Sequence, residues 1–273
     1  MRFAVIGSPI AHSKSPKMHA AAYAALGLDH TYEKIETSAD ELPLRIDALR
    51  AGELAGINVT VPHKQRALAL ADVSDATAQI TGAANTLVRL PTGAIRAHNT
   101  DAPALHDELV ALAPLDHYRG RTAIVLGTGG AARAALFALA RLGVAKVIVR
   151  GRRVDPALAK VLEEVSSQTE LAHEPIDLAS SADDLALIVQ ATTAGMAGGA
   201  PGEVAVQAMD WARVPSDAVV YDIVYASKPT PFLVAAGKRR RAGGLGMLAR
   251  QGALAFELWL GVPAPLDAMR AAL

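Results

Sequence analysis

Apolar residues are distributed along this chain in two ways. In short stretches they run together, at 3–6, 122–126, 147–149, 187–189 and 219–224, or alternate with polar residues, at 57–61. Runs of that length, rich in β-branched residues and bounded by turn formers, predict buried strands. Residues 31–36 are strand-like and predict another strand. Elsewhere apolar residues recur at helical spacing, which predicts helices over 18–26, 39–49, 64–71, 134–142 and, as the last element, 247–260. The punctuation agrees with these periods. Ser15 is placed as an N-cap with Pro16 at the first helical position, Asp155 stands before Pro156 in the same way, and Thr230-Pro231 opens a further helix. Pro62 stops the strand at 57–61, and Pro91-Thr92-Gly93 joins strands 86–90 and 94–97 as a hairpin. Strands alternating with helices predict an α/β protein. A polar, turn-rich stretch at 114–120 marks a domain crossing in or just before it.

The run at 122–126 ends in Gly127-Thr128-Gly129-Gly130-Ala131-Ala132 and continues as a helix, the order of a first βα unit in a dinucleotide-binding domain. Gly127 permits the turn, Gly129 lets backbone approach a pyrophosphate, and Ala132 is small enough for close helix–strand packing. The helix N-terminus offers N–H groups and a positive dipole end to phosphates. Such a turn also joins strands to helices where no ligand binds. The next strand sharpens the reading. It ends in Arg150-Gly151-Arg152-Arg153, with no carboxylate before Asp155 for a ribose 2′-hydroxyl. A guanidinium pairs bidentately with a 2′-phosphate, so the arginines favour NADP over NAD. The plainer alternative is a solvated basic turn.

The 273 residues balance 27 basic against 27 acidic side chains, so no global field draws the chain to nucleic acid or an anionic membrane. The absence of cysteine excludes disulfides, thiolate metal sites and a cysteine nucleophile. No uncharged apolar run reaches the ~20 residues of a membrane span, and the N-terminal run is too short for a signal peptide. The expectation is a soluble, cytoplasmic protein. His12, His19, His63, His98 and His106 lack metal-ligand spacing, so no metal is expected. Surface positions are expected for them, with His63 or His98 the ones able to line a cleft. The basic run 238–241 reads as a solvated helix end.

Four polar clusters interrupt the apolar elements: Ser13 and Ser15; Asn58, Thr60 and Lys64; Asn85 and Thr86; Asn99, Thr100 and Asp101. Each has a structural reading, with Ser13 and Ser15 as helix caps, Asn85 in a turn, Asp101 capping a helix from Ala102 and Lys64 as a solvated lysine. Open α/β sheets, however, bind ligands at the carboxyl ends of strands. Together the clusters fit a hydroxyl-rich anionic substrate, and a lysine beside a carboxylate can exchange a proton with an alcohol as a nicotinamide reduces its ketone.

With these motifs in order, the chain resembles the shikimate dehydrogenase family. The matching stretches are Gly7-Ser8-Pro9-Ile10 with Ser13-Lys14-Ser15-Pro16, Asn58-Val59-Thr60-Val61-Pro62-His63-Lys64, Gly82-Ala83-Ala84-Asn85-Thr86, Asn99-Thr100-Asp101 and the glycine turn. Thr192-Thr193-Ala194-Gly195-Met196, Asp222-Ile223-Val224-Tyr225 and Gly244-Leu245-Gly246-Met247-Leu248 with Gln251 complete them. The resemblance implies reversible reduction of 3-dehydroshikimate to shikimate with NADPH, in the pathway to aromatic amino acids. It implies Lys64 and Asp101 as the catalytic pair and Ser13 and Ser15 at the substrate carboxylate. Thr60, Asn85, Tyr225 and Gln251 would contact ring hydroxyls or close the pocket. Gly127, Thr128, Gly129, Gly130 and Ala131 would cradle the pyrophosphate, Arg152 with Arg153 would read the 2′-phosphate, and Ile223 and Gly244 would line the nicotinamide side.

The implied architecture is an N-terminal α/β substrate domain, 1–103, completed by the C-terminal helix at 245–273. A Rossmann-like NADP-binding domain, 104–244, is set off from it by a deep cleft, in a monomer or homodimer. The chain departs from the family's pattern in several places. Asn-Arg-Thr becomes Gly151-Arg152-Arg153, Thr128 replaces an alanine and Gln190 an asparagine. Ala20, Ala97 and Ala104 also depart from the usual residues, and Ala76 stands where an acidic residue is sometimes found. A quinate or dual quinate/shikimate dehydrogenase would use the same pair, and a relative acting on aminoshikimate is a further alternative. A ligand-sensing module on the same fold could dispense with Lys64 and Asp101.

Overall fold

The apolar runs form the inner strands of two six-stranded sheets. They do so in a computed structural model that describes every residue except 154, 177–181, 197 and 227. The chain divides into two compact units, Met1–Ala104 with Leu248–Leu273, and Leu105–Met247.

Unit 1 runs β1 (Arg2–Gly7), α1 (Ser15–Ala25), β2 (Thr31–Glu36), α2 (Leu42–Ala51), β3 (Gly56–Val59), α3 (Lys64–Leu70), β4 (Val73–Ser74), α4 (Ala76–Thr81), β5 (Thr86–Arg89) and β6 (Ile95–His98). Its strand order is β2-β1-β3-β5-β6-β4. β1 and β3 are parallel, with Ile6 opposite Val59. β5 is antiparallel to both neighbours, with Thr86 opposite Asn58 on one side and His98 on the other. That register brings the carboxyl ends of β1, β3 and β6 and the amino end of β5 to one edge, and all four polar clusters collect there. The period of two divides β1 between two cores. Ala4 and Ile6 pack with Leu42, Ile46 and Leu87, whereas Phe3 packs with Met18, Tyr23 and Phe256.

α5 (Asp101–Leu112) carries the chain out of unit 1. Unit 2 follows with α6 (Leu115–Tyr118), β7 (Thr122–Leu126), α7 (Gly130–Leu142), β8 (Lys146–Arg150), α8 (Pro156–Val165), β9 (Glu170–Glu174), β10 (Leu185–Gln190), α9 (Glu203–Gln207), β11 (Val219–Asp222), α10 (Pro231–Ala235) and β12 (Arg241–Gly243). α11 (Leu245–Leu260) returns the chain to unit 1, and α12 (Leu266–Ala271) follows it. The sheet is parallel in the order β12-β11-β10-β7-β8-β9. The order reverses at β7, so the glycine turn stands at the topological switch point, where such sheets bind ligands. Buried side chains on both faces of β7 and β10 explain why their sequences run apolar without alternation.

Several local expectations are corrected. α2 starts at Leu42, because Ser38 and Glu41 exchange backbone-to-side-chain hydrogen bonds across the preceding turn. A short helix, α6, occupies part of the turn-rich stretch at 114–120. The basic run at 238–241 lies just past α10 with Lys238, Arg240 and Arg241 exposed, as expected, but Arg239 is tied into the fold. Arg239 donates to the carbonyls of Trp211, Val214, Pro215 and Ala236, and Arg241 opens β12. Helix α11 is followed by α12, whose Met269 is buried against α1.

Candidate active site

At the ligand edge of unit 1 the loop after β1 is pinned from several sides. Ser8 N–H donates to the Val61 carbonyl at 3.1 Å, Ile10 N–H to Glu36 Oε2 at 3.0 Å, and Lys14 Nζ to the Leu273 carbonyl at 3.2 Å. Gly7 is required where this loop leaves the sheet, since a Cβ there would lie 2.4 Å from Thr60 Cγ2. Ser13 and Ser15 come together, with Ser13 Oγ accepting the Ser15 N–H at 3.3 Å. Ser15 is therefore not the expected N-cap. It is the first residue of α1, and the capping position is Lys14 without a side-chain cap. Lys14, the cation between the serines, is directed to the chain's own carbonyl.

Lys64 opens α3 immediately after His63, whose Nε2 lies 2.6 Å from the Thr37 carbonyl. Its Nζ donates to Asp101 Oδ2 at 2.5 Å, with the two side chains only 18% and 10% exposed. Asp101 is free for this because it does not cap its own helix, contrary to the structural reading. Asn99 does: its Oδ1 accepts the N–H groups of Asp101 and Ala102, both at 3.1 Å. Its amide donates to Thr81 Oγ1 and the Ala83 carbonyl. Asn99 is thus a functional residue to which sequence reasoning gave no role, although an asparagine ahead of a helical run is itself a cap signal. Asn99→Ala is expected to lower stability by about 1–2 kcal/mol and to loosen Asp101. Urea unfolding and kcat measured on one preparation check both.

Asn85 organises the rest of this edge. Its Oδ1 accepts the Thr100 N–H at 2.8 Å, and its Nδ2 donates to Thr100 Oγ1 at 2.9 Å and Gln251 Oε1 at 3.3 Å. Asn58 Nδ2 donates to the Asn85 carbonyl and to Thr86 Oγ1, and Asn58 Oδ1 accepts from the Tyr32 hydroxyl. Ser13, Ser15, Thr60, Lys64, Asn85, Asp101 and Gln251 all belong to unit 1. The histidine expectation is corrected here. His63 is buried and bonded, His98 Nδ1 lies 2.9 Å from Asp75 Oδ2, and His19 is fully buried. Partners from other segments hold these rings: the Tyr32 ring for His19, the Thr37 carbonyl for His63 and the Asp75 carboxylate for His98.

In unit 2, Gly127 has φ +110°, and a Cβ there would meet the Ala191 carbonyl oxygen at 3.0 Å. The turn thus crosses the end of β10. Among the described residues, Gly129 faces nothing within 4 Å at the Cβ position, and no side chain caps α7. An open glycine face beside uncapped first-turn N–H groups fits a pyrophosphate. Of the arginines, Arg150 is withdrawn from the ligand. It is fully buried, and its guanidinium donates to Glu174 Oε2, the Ala208 carbonyl and Met209 Sδ. Arg152 and Arg153 are exposed beyond the end of β8.

Ile223, Tyr225 and Gly244 form a third group. A Cβ on Gly244 would lie 2.0 Å from the Ile223 carbonyl oxygen, so only glycine lets α11 begin there. Tyr225 and Gly244 line a cavity of about 240 Å³ with Val224, Lys228, Thr230 and Leu245. Behind it Asp222 accepts from Val224 N–H at 3.0 Å and Thr230 Oγ1 at 2.5 Å. Burial pushes its carboxyl up to about 6 against these two bonds. Gln190, the departure from asparagine, holds the turn after β10, with its amide bonded to Ala194 O and Thr192 N–H. No helix among the described residues is long and apolar enough to cross a membrane.

Comparison with known proteins supplies the family. The model described as "Shikimate dehydrogenase substrate binding domain" matches residues 5–87, and "Shikimate 5'-dehydrogenase C-terminal domain" matches residues 244–273. A shikimate dehydrogenase (NADP(+)) of Citrifermentans bemidjiense is 39% identical, over 98% of this chain and 93% of its own. One of Methylobacterium radiotolerans is 40% identical, over 94% and 90%. Among solved structures, shikimate 5-dehydrogenase from Thermus thermophilus, in complex with NADP(H) and shikimate, has a TM-score of 0.82 at 37% identity, covering 100% of this chain and 98% of that one. With its ligand edge, its switch-point glycine turn and these relatives over nearly its whole length, the chain belongs to the shikimate dehydrogenase family.

Proposed function

We propose that this protein is an NADP-dependent oxidoreductase that reversibly reduces 3-dehydroshikimate to shikimate, a step toward chorismate and the aromatic amino acids. The observation that carries the reading is the Lys64–Asp101 pair, 2.5 Å apart at the edge where the polar clusters of unit 1 converge. NADPH supplies the hydride. Lys64 gives its proton to the ketone oxygen and takes it back in the reverse direction. Asp101 holds the ammonium in place and accepts a bond from a substrate hydroxyl. Ser13 and Ser15 bind the carboxylate with neutral hydroxyls. Thr60, Asn85, Tyr225 and Gln251 meet the ring hydroxyls or close over them. In unit 2, Gly127 to Ala131 hold the pyrophosphate, Arg152 and Arg153 the 2′-phosphate, and Ile223 and Gly244 the nicotinamide side. The reading takes residues 1–103 with 245–273 as the substrate domain and 104–244 as the NADP domain, in a cytoplasmic monomer or homodimer. A tetramer by light scattering would overturn that last point.

The test is a spectrophotometric assay of purified protein with shikimate, quinate and aminoshikimate, each with NADP and with NAD. Shikimate with NADP is expected to give the highest kcat/KM; quinate with NAD exceeding it would sink the reading. Arg152→Ala is expected to raise KM for NADP about 10- to 100-fold, the equivalent of one charge-assisted hydrogen bond. KM for NAD should stay as it was. Equal rises for both cofactors would assign Arg152 to the shared part of the dinucleotide.

A further inference from the structure

Two departures from the family's motifs meet in space. Thr128 stands in the glycine turn where the pattern has alanine, and Gly151 stands where the Asn-Arg-Thr motif has asparagine. A Cβ built on Gly151 would lie 2.5 Å from Thr128 Cγ2, closer than side-chain carbons approach one another. The threonine methyl therefore fills the room that any side chain at 151 would need. The same two segments are joined on either side of this contact. Gly127 N–H donates to the Arg150 carbonyl at 2.7 Å. Arg133 in the first turn of α7 pairs with Asp155 at 2.9 Å, and Asp155 also caps α8 through Ala157 N–H. The backbone at 151 is itself held, since Gly151 N–H donates to the Glu174 carbonyl at 3.2 Å.

From this we infer that Thr128 is a specificity-determining residue for the dinucleotide. Its methyl excludes a side chain at 151 and so leaves recognition of the adenosine ribose to Arg152 and Arg153. An asparagine at 151 would offer a neutral amide, able to bond a 2′-hydroxyl or a 2′-phosphate. Two exposed guanidinium groups without it have a strong partner only in an anion. The proposal rests on the assignment of Arg152 and Arg153 given above and adds that the threonine enforces it.

The test reads binding directly, by calorimetry with adenosine 2′,5′-bisphosphate as the probe. Gly151→Asn is made in the parent and in the Thr128→Ala background, and the factor by which it weakens binding is compared. The expected loss is about tenfold or more in the parent and about threefold or less once the threonine methyl is gone. Factors that agree within threefold would overturn the proposal. Circular dichroism melting identifies a variant that fails to fold, in which case Gly151→Ala, which adds only the clashing methyl, replaces Gly151→Asn. A parallel Arg152→Ala/Arg153→Ala protein separates the two layers. Unchanged affinity there would overturn the arginine assignment and this proposal with it. Lost affinity there with uncoupled Gly151 would overturn this proposal alone.

Discussion

Replacing Lys64 with alanine is expected to lower kcat for shikimate oxidation by about 10²–10⁴-fold, the range of a positioned proton donor. KM for shikimate should change little, because the carboxylate and ring hydroxyls are assigned to other side chains. The structural ground is the bond from Lys64 Nζ to Asp101 Oδ2 at 2.5 Å. It holds the ammonium in place by one of three N–H donors and leaves the others available for a ligand. Asp101→Asn is expected to depress kcat as well, and to weaken substrate binding, since it removes the charge that anchors Lys64 and turns one of two acceptor oxygens into an NH2 donor. Steady-state kinetics with each variant checks this, alongside thermal unfolding to exclude a folding defect. A raised KM with unchanged kcat in Lys64→Ala would make the lysine a binding residue only.

The second large effect concerns stability at acid pH. His19 is fully buried, stacked on Tyr32 with ring centroids 4.2 Å apart and flanked by Tyr23 and Trp259. Neither ring nitrogen has a hydrogen-bond partner among the described residues. Burial lowers its pKa to about 3, so the folded protein keeps the ring neutral. The unfolded chain takes up a proton near the ordinary histidine pKa. Between these two values the unfolded state binds more protons, and stability falls as pH falls. The loss is about 1.4 kcal/mol per pH unit, or about 3 kcal/mol from neutrality down to pH 4. His19→Leu should stay within about 1.5 kcal/mol of the parent at pH 7 and should gain on it steadily below pH 6. Carboxylates held low by hydrogen bonds, among them Glu36, Glu41, Asp72 and Asp217, also titrate on acidification. They are common to both proteins and cancel in the difference. Urea midpoints followed by tryptophan fluorescence across pH 4–7 would refute the linkage if the two profiles ran parallel.

What was legible in the sequence was whatever local rules decide. The hairpin about Pro91-Thr92-Gly93 appears as β5 and β6. Asp155 and Thr230 accept the N–H bonds of their helices, and the glycine turn joins β7 to α7 at the switch point. What escaped was decided by partners far along the chain. Arg150 read as part of a basic turn, yet Glu174 and the Ala208 carbonyl bury it. β9 is not legible, because an edge strand half open to water shows no apolar alternation. The burial of His19 is not legible either, because the rings of Tyr32 and Trp259 that enclose it come from other elements. Asn99 and Asp101 were both legible as polar residues before a helix. Which one caps and which one pairs with Lys64 depends on α3, folded from residues 64–70.

The chain leaves unit 1 at Ala104 and re-enters it at Leu248, and this sets a timetable for synthesis. A ribosome that has translated as far as Met247 has made all of unit 2. The aromatic core of unit 1 still lacks Phe256, Trp259 and Met269. Nor does β3 yet have the indole that lies over Gly56 and bonds the Leu87 carbonyl at 3.0 Å. At elongation rates of about 5–20 residues per second, the first segment of unit 1 waits roughly 7–30 s for its second. The amino-terminal unit, begun first, is therefore the last to close, with Phe3 and Tyr23 awaiting Phe256 and Met269 until then.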